Sequence, residues 1–458
     1  MKLHAVVLAA GKGTRMRSEM PKVLQPLAGS TLLDHSVSAF KALTQRFDTR
    51  MTLVIGHGAE QVKASCEGLD CHWVTQTEQL GTGHAVAQAI PGISDDEIVV
   101  VLCGDVPLLT EATLERLVNA ASDKTPALLT VNLDDPTGYG RVLRNDQGDV
   151  EAIVEQKDGN AEQLLVSEIN TGIMAIPGAP LKRWLSQLGN SNAQGEYYLT
   201  DVIAMSVADG YPVVAVATDD PDEVAGVNDK AQLAQTERAL QHRLAKALMQ
   251  QGVTLRDPAR VDCRGQLAAG SDVVVDVNVI FEGDVRLGDR VVIGANCQIK
   301  DATIGDDSVI LANSLIDGAV IGKQCQVGPF ARIRPDSLLA DRARVGNFVE
   351  LKKTQLGEGS KANHLSYVGD AIVGQNVNIG AGVITCNYDG ANKHVTEIGD
   401  GAFIGSDCQL VAPVKVGAGA TLGAGTTLGK DAPAGELTIT RPKQITIAGW
   451  KRPVKNKK

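Results

Sequence analysis

The first residues equipped for chemistry come early: Leu8-Ala9-Ala10-Gly11-Lys12-Gly13-Thr14-Arg15-Met16, followed by Pro21-Lys22. A glycine-rich turn lets backbone N–H groups approach phosphate oxygens, and Arg15 and Lys22 bring the charge to neutralise them. A Gly-x-Gly alone is most often an ordinary turn. Here an apolar run precedes it, two cations follow it, and Pro21 fixes the backbone beside Lys22. The third glycine of a dinucleotide fingerprint is missing, and no Gly-Lys-Ser or Gly-Lys-Thr follows at P-loop spacing. A nucleoside triphosphate is the ligand this pattern suits. In Gln76-Thr77-Glu78-Gln79-Leu80-Gly81-Thr82-Gly83-His84, two amides offer both donors and acceptors. The plainer alternative is a polar loop that opens a helix. Cys103-Gly104-Asp105-Val106-Pro107 closes an apolar run with a carboxylate. An Asp there often only forms a turn, but the end of a strand is also where α/β sheets bind ligands.

The second group centres on His364, in Ala362-Asn363-His364-Leu365-Ser366-Tyr367 and one of eight histidines. Imidazole in general is mostly neutral near pH 7 and able to accept a proton. A lone histidine is more often structural. This one sits at a break in a repeat, with Tyr367 after it and Glu350 and Lys352 about two coils earlier. A second break carries Asn387-Tyr388-Asp389-Gly390-Ala391-Asn392-Lys393.

The repeat is what must position these residues. From about Val273 to Leu428 an aliphatic residue returns every six positions: Phe281, Leu287, Ile293, Ile299, then after a slip Ile304 and Ile310. It continues through Ile321, Val327, Ile333, Leu339, Val345 and Leu351, and resumes at Val373, Ile379, Ile398, Ile404, Leu410, Val416, Leu422 and Leu428. That period fits neither a helix nor a strand; it is the mark of a parallel β-helix. The breaks, Ala362–Tyr367 and Thr385–Glu397, read as loops extruded on the functional side. Aromatics at 3% and 48 glycines suit a narrow interior with tight corners.

Before the repeat, apolar runs at Ala5–Leu8, Thr52–Ile55, His72–Thr75, Ile98–Cys103 and Ala127–Val131 alternate with helical patterns at Leu32–Leu43, Glu60–Cys66, His84–Ala89 and Glu111–Ala121. This alternation predicts an α/β domain with a mostly parallel sheet. Asp229 to Gln251 has no Gly or Pro and reads as one connecting helix ending at Gly252. A net charge of −10 without a basic face argues against a nucleic-acid binder. The one basic run, Lys451 to Lys458, reads as a solvated tail. No apolar run reaches the ~18 residues that span a bilayer. The start, Met1-Lys2-Leu3-His4, lacks a signal-peptide layout, so a cytosolic protein is expected. Eight cysteines without a Cys-x-x-Cys pair predict reduced thiols, with Cys103 and Cys325 as small core residues.

The stretch Leu8–Lys22 resembles the sugar-nucleotide pyrophosphorylase (nucleotidyltransferase) family, whose signature Leu-x-x-Gly-x-Gly-Thr-Arg-Met followed by Pro-Lys stands here unchanged. Gln76–His84 resembles the uracil-recognition segment of its uridylyl branch. The ladder resembles hexapeptide acyltransferases that use acetyl-CoA. As a whole, the chain resembles the bacterial family of bifunctional N-acetylglucosamine-1-phosphate uridyltransferase/glucosamine-1-phosphate N-acetyltransferases.

That resemblance implies a Rossmann-like α/β nucleotidyltransferase domain over 1–228, a helical linker over 229–251, and a left-handed parallel β-helix acetyltransferase domain with a C-terminal tail over 252–458. The hand runs against the right-handed preference of parallel crossovers, so the period does not supply it. UTP and UDP-sugar contacts are implied at Leu8, Ala9, Ala10, Gly11, Arg15, Lys22, Gln76, Gln79, Gly81, Thr82, Cys103, Gly104, Asp105, Gly140, Glu155, Asn170 and Asn228. Asp105 and Asn228 are implied ligands of Mg²⁺. His364 is the implied general base. Amino-sugar phosphate contacts fall at Arg334, Lys352, Tyr367, Asn378 and Lys393, and acetyl-CoA contacts at Ala381, Asn387, Tyr388, Ser406, Ala424 and Arg441. A backbone N–H near Ala381 is a candidate oxyanion donor. Lys393 serves its own site or a neighbour's, or is simply a solvated loop charge. A homotrimer assembled through the β-helix is implied. The rival reading is a single-activity nucleotidyltransferase with the ladder as an assembly arm.

Overall fold

The computed structural model describes residues 1–455. The end of the basic run Lys451–Lys458 lies outside the described residues. Two compact units divide the chain, Met1–Leu240 and the residues from Gln241 onward.

In the first unit, a sheet runs in the order Val214–Thr218, Ala127–Asn132, Glu168–Pro177, Glu97–Cys103, Lys2–Ala9, Asp48–Ile55, His72–Thr75. Every pairing on this path is parallel except those of Glu168–Pro177, which runs antiparallel to both neighbours. The central strands are unbroken apolar runs because both faces are covered. Val100 and Leu102 enter one core, Val99 and Val101 the other. Helix Leu32–Leu43 opens on a capping box: the Thr31 side chain accepts from Asp34 N–H, and the Asp34 carboxylate accepts from Thr31 N–H. From Lys2–Ala9 the chain lays Asp48–Ile55 on one side and Glu97–Cys103 on the other. The crevice beyond the carboxyl ends of these strands is a topological switch point, where such sheets bind ligands. The glycine-rich turn and Cys103–Asp105 both emerge there.

Helix Lys230–Gln250 crosses the division between the units. Leu233, Ala239 and Leu240 pack against Met16, Leu27, Leu32, Leu108 and Val227 of the first. Ala245 and Leu248 join the core of the second. There the Gln241 amide donates to Cys263 O and accepts from Cys263 N–H, both at 2.8 Å.

The second unit is a parallel β-helix. Strands pair coil on coil, as in the series Gln298, Leu315, Arg332, Glu350, Tyr367, Ile384, Gln409 and Thr427. The ladder aliphatics point inward and are buried, from Phe281 to Leu428. The first expected break is not one. Leu356, Ala362 and Val368 fill the inward positions between Leu351 and Val373. Two five-residue steps, Leu351 to Leu356 and Val368 to Val373, together with the smallness of Ala362, hide the period. Asn363 and His364 lie on a strand, Lys361–His364, paired with Arg344–Asn347. Glu350 pairs with Tyr367 and Lys352 with Gly369, so they stand one coil away rather than two.

The second break is real. Thr385 still points inward, its hydroxyl bonded to both N–H (2.7 Å) and C=O (3.0 Å) of Gly369, which satisfies a buried polar group. The chain then leaves the column until Thr396–Ile398, and Tyr388 pairs with Lys393 across an extra turn.

Candidate active sites

At the switch point, Lys22 Nζ donates to the Asp105 carboxylate and, at 3.2 Å, to Asn228 Oδ1. Three distant segments are thus drawn to one point. Val227 N–H donates to Asp105 O at 2.9 Å, and Asn228 N–H to Gln232 Oε1 at 2.8 Å, fixing the turn that carries Asn228. Gly104 N–H donates to Leu8 O at 3.0 Å, which sets Leu8, Ala9, Ala10 and Gly11 beside Cys103–Asp105. Gln79 reaches the same edge: a Cβ built on Gly56 would lie 2.8 Å from Ala10 O and 3.0 Å from Gln79 Nε2.

The other predicted residues continue from there. Gln79 Nε2 donates to Gln76 O at 3.2 Å. Gln76, buried, donates to Gly81 O at 3.2 Å and meets His84 Nδ1 at 3.0 Å. Gly81 has φ +113°, and a Cβ on it would come 2.5 Å from Tyr197 O, so only glycine fits. Thr82 Oγ1 accepts from Leu199 N–H at 3.1 Å; its hydroxyl is engaged in packing the loop. The next residue, Thr200, donates to Glu155 Oε1 at 3.0 Å. A Cβ on Gly140 would lie 3.5 Å from Glu155 Oε2, and Gly140 O accepts from Asn170 N–H at 2.9 Å. Asn170 Oδ1 accepts from Gly172 N–H at 3.1 Å, and Gly172 O lies 3.9 Å from Cys103 Sγ. The contacts close a ring around the crevice. Arg15 stands outside it, exposed on the short turn Thr14–Met16.

The ring is polarised. Burial raises the Glu155 carboxyl above its ordinary range. Burial, with the charge of Asp105 adding, pushes the Cys103 thiol up to about 12. Cys103 is therefore a neutral thiol that shapes the site and is no nucleophile. All eight cysteines are free.

In the second unit, four of the predicted acetyl-CoA residues, Ala381, Ser406, Ala424 and Arg441, follow one corner of the β-helix. Gly382 N–H donates to His364 O at 3.4 Å, Asp407 N–H to Ala381 O at 2.7 Å, and Gly425 N–H to Ser406 O at 2.8 Å. Arg441 Nε donates to Ala424 O at 2.8 Å. His364, Ala381, Ser406, Ala424 and Arg441 therefore stack coil by coil. At about 4.8 Å per coil the ridge is roughly 20 Å long. His364 lies at its foot with its side chain exposed, and its Nδ1 is 3.0 Å from Asn347 Oδ1.

The adjoining face carries Arg334, paired with Glu350 at 2.8 Å, and then Lys352 and Tyr367. Asn387, buried, donates to the Asp370 carboxylate and lies 3.4 Å from Tyr367 Oη. On the projecting loop, Lys393 Nζ sits 4.1 Å from the Tyr388 ring centroid. Asp389 is held well below the usual carboxylate range, first by Asn392 N–H and then by His394 and Ala391 N–H. Asn378 is not brought to this group: it lies on the other long sheet, with Lys361 and Phe403 as partners.

Sequence reasoning passed over Thr200, Asn347 and Asp370. Counting one coil back from His364 would have found Asn347, and one coil back from Asn387 would have found Asp370.

A MobA-like NTP transferase domain matches residues 5–171, a GMPPB C-terminal domain residues 263–349, and bacterial transferase hexapeptide repeats residues 396–430. Fold and sites define a nucleotidyltransferase joined to a hexapeptide-repeat transferase, the latter a left-handed parallel β-helix. The curated relative from Marinobacter nauticus, called Bifunctional protein GlmU, is 57% identical over 99% of each chain. Those of the same name from Idiomarina loihiensis and Methylococcus capsulatus are 56% and 55% identical, over 100% of this chain and 100% and 99% of their own. A solved nucleotidyl transferase from Methanothermobacter thermautotroptrophicus covers 51% of this chain and 95% of its own, at 23% identity and TM-score 0.38. The chain belongs to the GlmU family of bifunctional transferases.

Proposed function

We propose that this chain makes UDP-N-acetylglucosamine in two steps, one in each unit. The β-helix transfers acetyl from acetyl-CoA to glucosamine 1-phosphate. The α/β unit then transfers uridylyl from UTP to N-acetylglucosamine 1-phosphate. The observation that carries this reading is that two sets of residues scattered along the chain gather at two loci, one around Lys22–Asp105–Asn228 and one along the His364 corner. The assembly-arm alternative is not favoured, because bifunctional relatives match both units from end to end.

In the acetyl step, His364 takes a proton from the substrate amine as the nitrogen attacks the thioester carbonyl. The C–S bond then breaks, and CoA leaves as the thiol with that proton. The ridge from Ala381 to Arg441 suits an extended pantetheine arm, and Arg334 and Lys352 suit the sugar phosphate. In the uridylyl step, an anionic sugar-phosphate oxygen attacks the α-phosphorus of UTP, and pyrophosphate leaves. No general base is needed. Gln76 and Gln79 suit the uracil edge, while Gly140, Glu155 and Asn170 suit the sugar. Lys22 and Arg15 neutralise phosphate charge, and positioning supplies the rest.

Asp105 and Asn228 fit Mg²⁺: their oxygens already converge on one cation, the Lys22 ammonium. Two hard oxygens are enough for an ion that keeps several waters. When bound there, Mg²⁺ supplies further neutralisation of phosphate charge. A cytoplasmic setting, where UTP and acetyl-CoA are to hand, belongs to the same reading.

A homotrimer through the β-helix completes it. Arg334, Lys352 and Tyr367 stand on one face and Asn378 on the next, an arrangement that a neighbouring copy would complete. One corner also carries a signal of contact. Its left-handed turns hold Asn278, Asn296 and Asn313, and then Phe330 and Phe348 (both φ +56°) and Leu365 (φ +47°). Left-handed backbone costs non-glycine residues roughly 1–2 kcal/mol. The two phenyl rings stack at 5.2 Å and are about half exposed. Strained, exposed aromatics where asparagine would serve support burial against a second copy. Replacing Phe330 and Phe348 together by Asn is expected to preserve the melting temperature of the isolated coil stack but shift light-scattering mass toward monomer. A trimer of unchanged stability would overturn this placement of the interface.

The whole reading is tested by adding glucosamine 1-phosphate and acetyl-CoA, measuring free thiol, then adding UTP with Mg²⁺ and measuring pyrophosphate. Both products are expected. Pyrophosphate formation from N-acetylglucosamine 1-phosphate without any thiol release would favour the assembly arm.

A further inference from the structure

Asn347 holds a position that the proposed chemistry leaves unassigned. It is the register partner of His364 on the preceding coil, so the two side chains leave neighbouring backbones side by side. Asn347 Oδ1 lies 3.0 Å from His364 Nδ1. The His364 main chain is pinned as well: its C=O accepts from Ser366 Oγ at 2.8 Å. A neutral imidazole carries one N–H, and a carbonyl oxygen only accepts hydrogen bonds. An amide oxygen facing Nδ1 suits the tautomer with the proton on that nitrogen, in which Nε2 carries the free lone pair.

We propose that Asn347 is a positioning residue that selects the Nδ1–H tautomer of His364 and aims Nε2 at the substrate amine. The proposal rests on His364 being the base. Without Asn347 the ring populates both tautomers and turns about its side-chain bonds, so a smaller share of the enzyme is competent at any moment. Substrate contacts are untouched, because Asn347 reaches the reaction only through the ring. The role matches that of the third member of a catalytic triad, which orients the base and fixes its tautomer. A neutral amide partner calls for a smaller effect than a buried carboxylate.

The test uses the full-length enzyme with Asn347→Ala, Asn347→Asp and His364→Ala. Asn347→Ala is expected to lower the acetyl-transfer kcat by roughly 10- to 100-fold, on the low side of general-base effects, with KM for glucosamine 1-phosphate unchanged. Asn347→Asp keeps an acceptor facing Nδ1 and is expected to restore most of the rate. Nitrogen-15 NMR of histidine-labelled protein reads the tautomer directly, and the His364→Ala difference spectrum identifies the ring among the eight histidines. Wild type should show the proton on Nδ1; Asn347→Ala should show a mixture.

A proton on Nε2 in wild type overturns the proposal, as does a wild-type kcat in Asn347→Ala. A loss that appears in KM alone, or that Asn347→Asp fails to rescue, does so too. If His364→Ala itself retains acetyl transfer, the reading beneath fails instead, and the two failures are told apart. Uridylyl transfer serves as the folding control and is expected to stay constant in all three variants.

Discussion

Replacing His364 by Ala is expected to cut acetyl transfer by about 10²–10⁴-fold, the usual worth of a positioned general base, while uridylyl transfer stays at the wild-type rate. The selectivity follows from where the residue sits. His364 is exposed, lies on a regular strand and fills no core position; Ala362 and Val368 do that on either side. Removing its ring leaves no cavity and no unsatisfied buried group, so stability should change by less than about 0.5 kcal/mol. The residues proposed for uridylyl transfer belong to the other unit. Parallel assays of CoA thiol and of pyrophosphate decide the matter. Loss of both activities would mean that His364 supports the fold. Retention of both would move the base elsewhere, with Tyr367, three residues on and on the adjoining face, the next candidate.

The β-helix was legible because its interior accepts only small aliphatics at a fixed step, and a composition with few aromatics agrees with that constraint. The reading failed where a small residue stood in for an aliphatic one. Ala362 and Thr385 both face inward, the first too small to register and the second paired to Gly369 by its hydroxyl. This turned an ordinary coil into an apparent loop and put Glu350 and Lys352 a coil too far from Tyr367. The lesson is physical: a corner that takes five residues instead of six shifts the period without breaking the column. The α/β unit was legible from its apolar runs, but the antiparallel direction of Glu168–Pro177 was not. Direction depends on how the chain returns, which no local pattern records.

The sites show the same division. Residue types and spacing drew out Lys22, Asp105 and His364, since cations, carboxylates and imidazoles declare their chemistry. They did not show that the Thr82 hydroxyl is spent on Leu199 N–H, that Thr200 bridges toward Glu155, or that Asn347 stands beside His364. These are contacts between segments far apart in sequence. Only the coil step or the sheet order brings such segments together; the coil step can be counted from the six-residue period, but no local pattern records the sheet order.

Asp105→Asn is expected to remove uridylyl transfer by at least about 10²–10³-fold, the range for losing one group that stabilises developing charge, and to leave acetyl transfer untouched. The substitution keeps the shape and removes one negative charge. In the native site that charge faces the Lys22 ammonium, beside the uncharged Asn228 oxygen. Lys22, Asp105 and Asn228 form a group in which one carboxylate balances one ammonium. An amide at position 105 leaves Lys22 without its ionic partner, and Mg²⁺ with only neutral oxygens to hold it. The first change frees the ammonium from the place where the carboxylate holds it, and the second takes away metal charge that would position the triphosphate. Removing divalent metal with a chelator should mimic the variant: uridylyl transfer lost, thiol release from acetyl-CoA unaffected. Titrating Mg²⁺ against the variant separates two cases. A rate that stays low at saturating metal means Asp105 shapes the reacting phosphates directly. A rate that recovers fully means it only raises metal affinity. Wild-type activity at ordinary Mg²⁺ concentrations would remove Asp105 from the metal site and leave Lys22 as the main source of charge in the crevice.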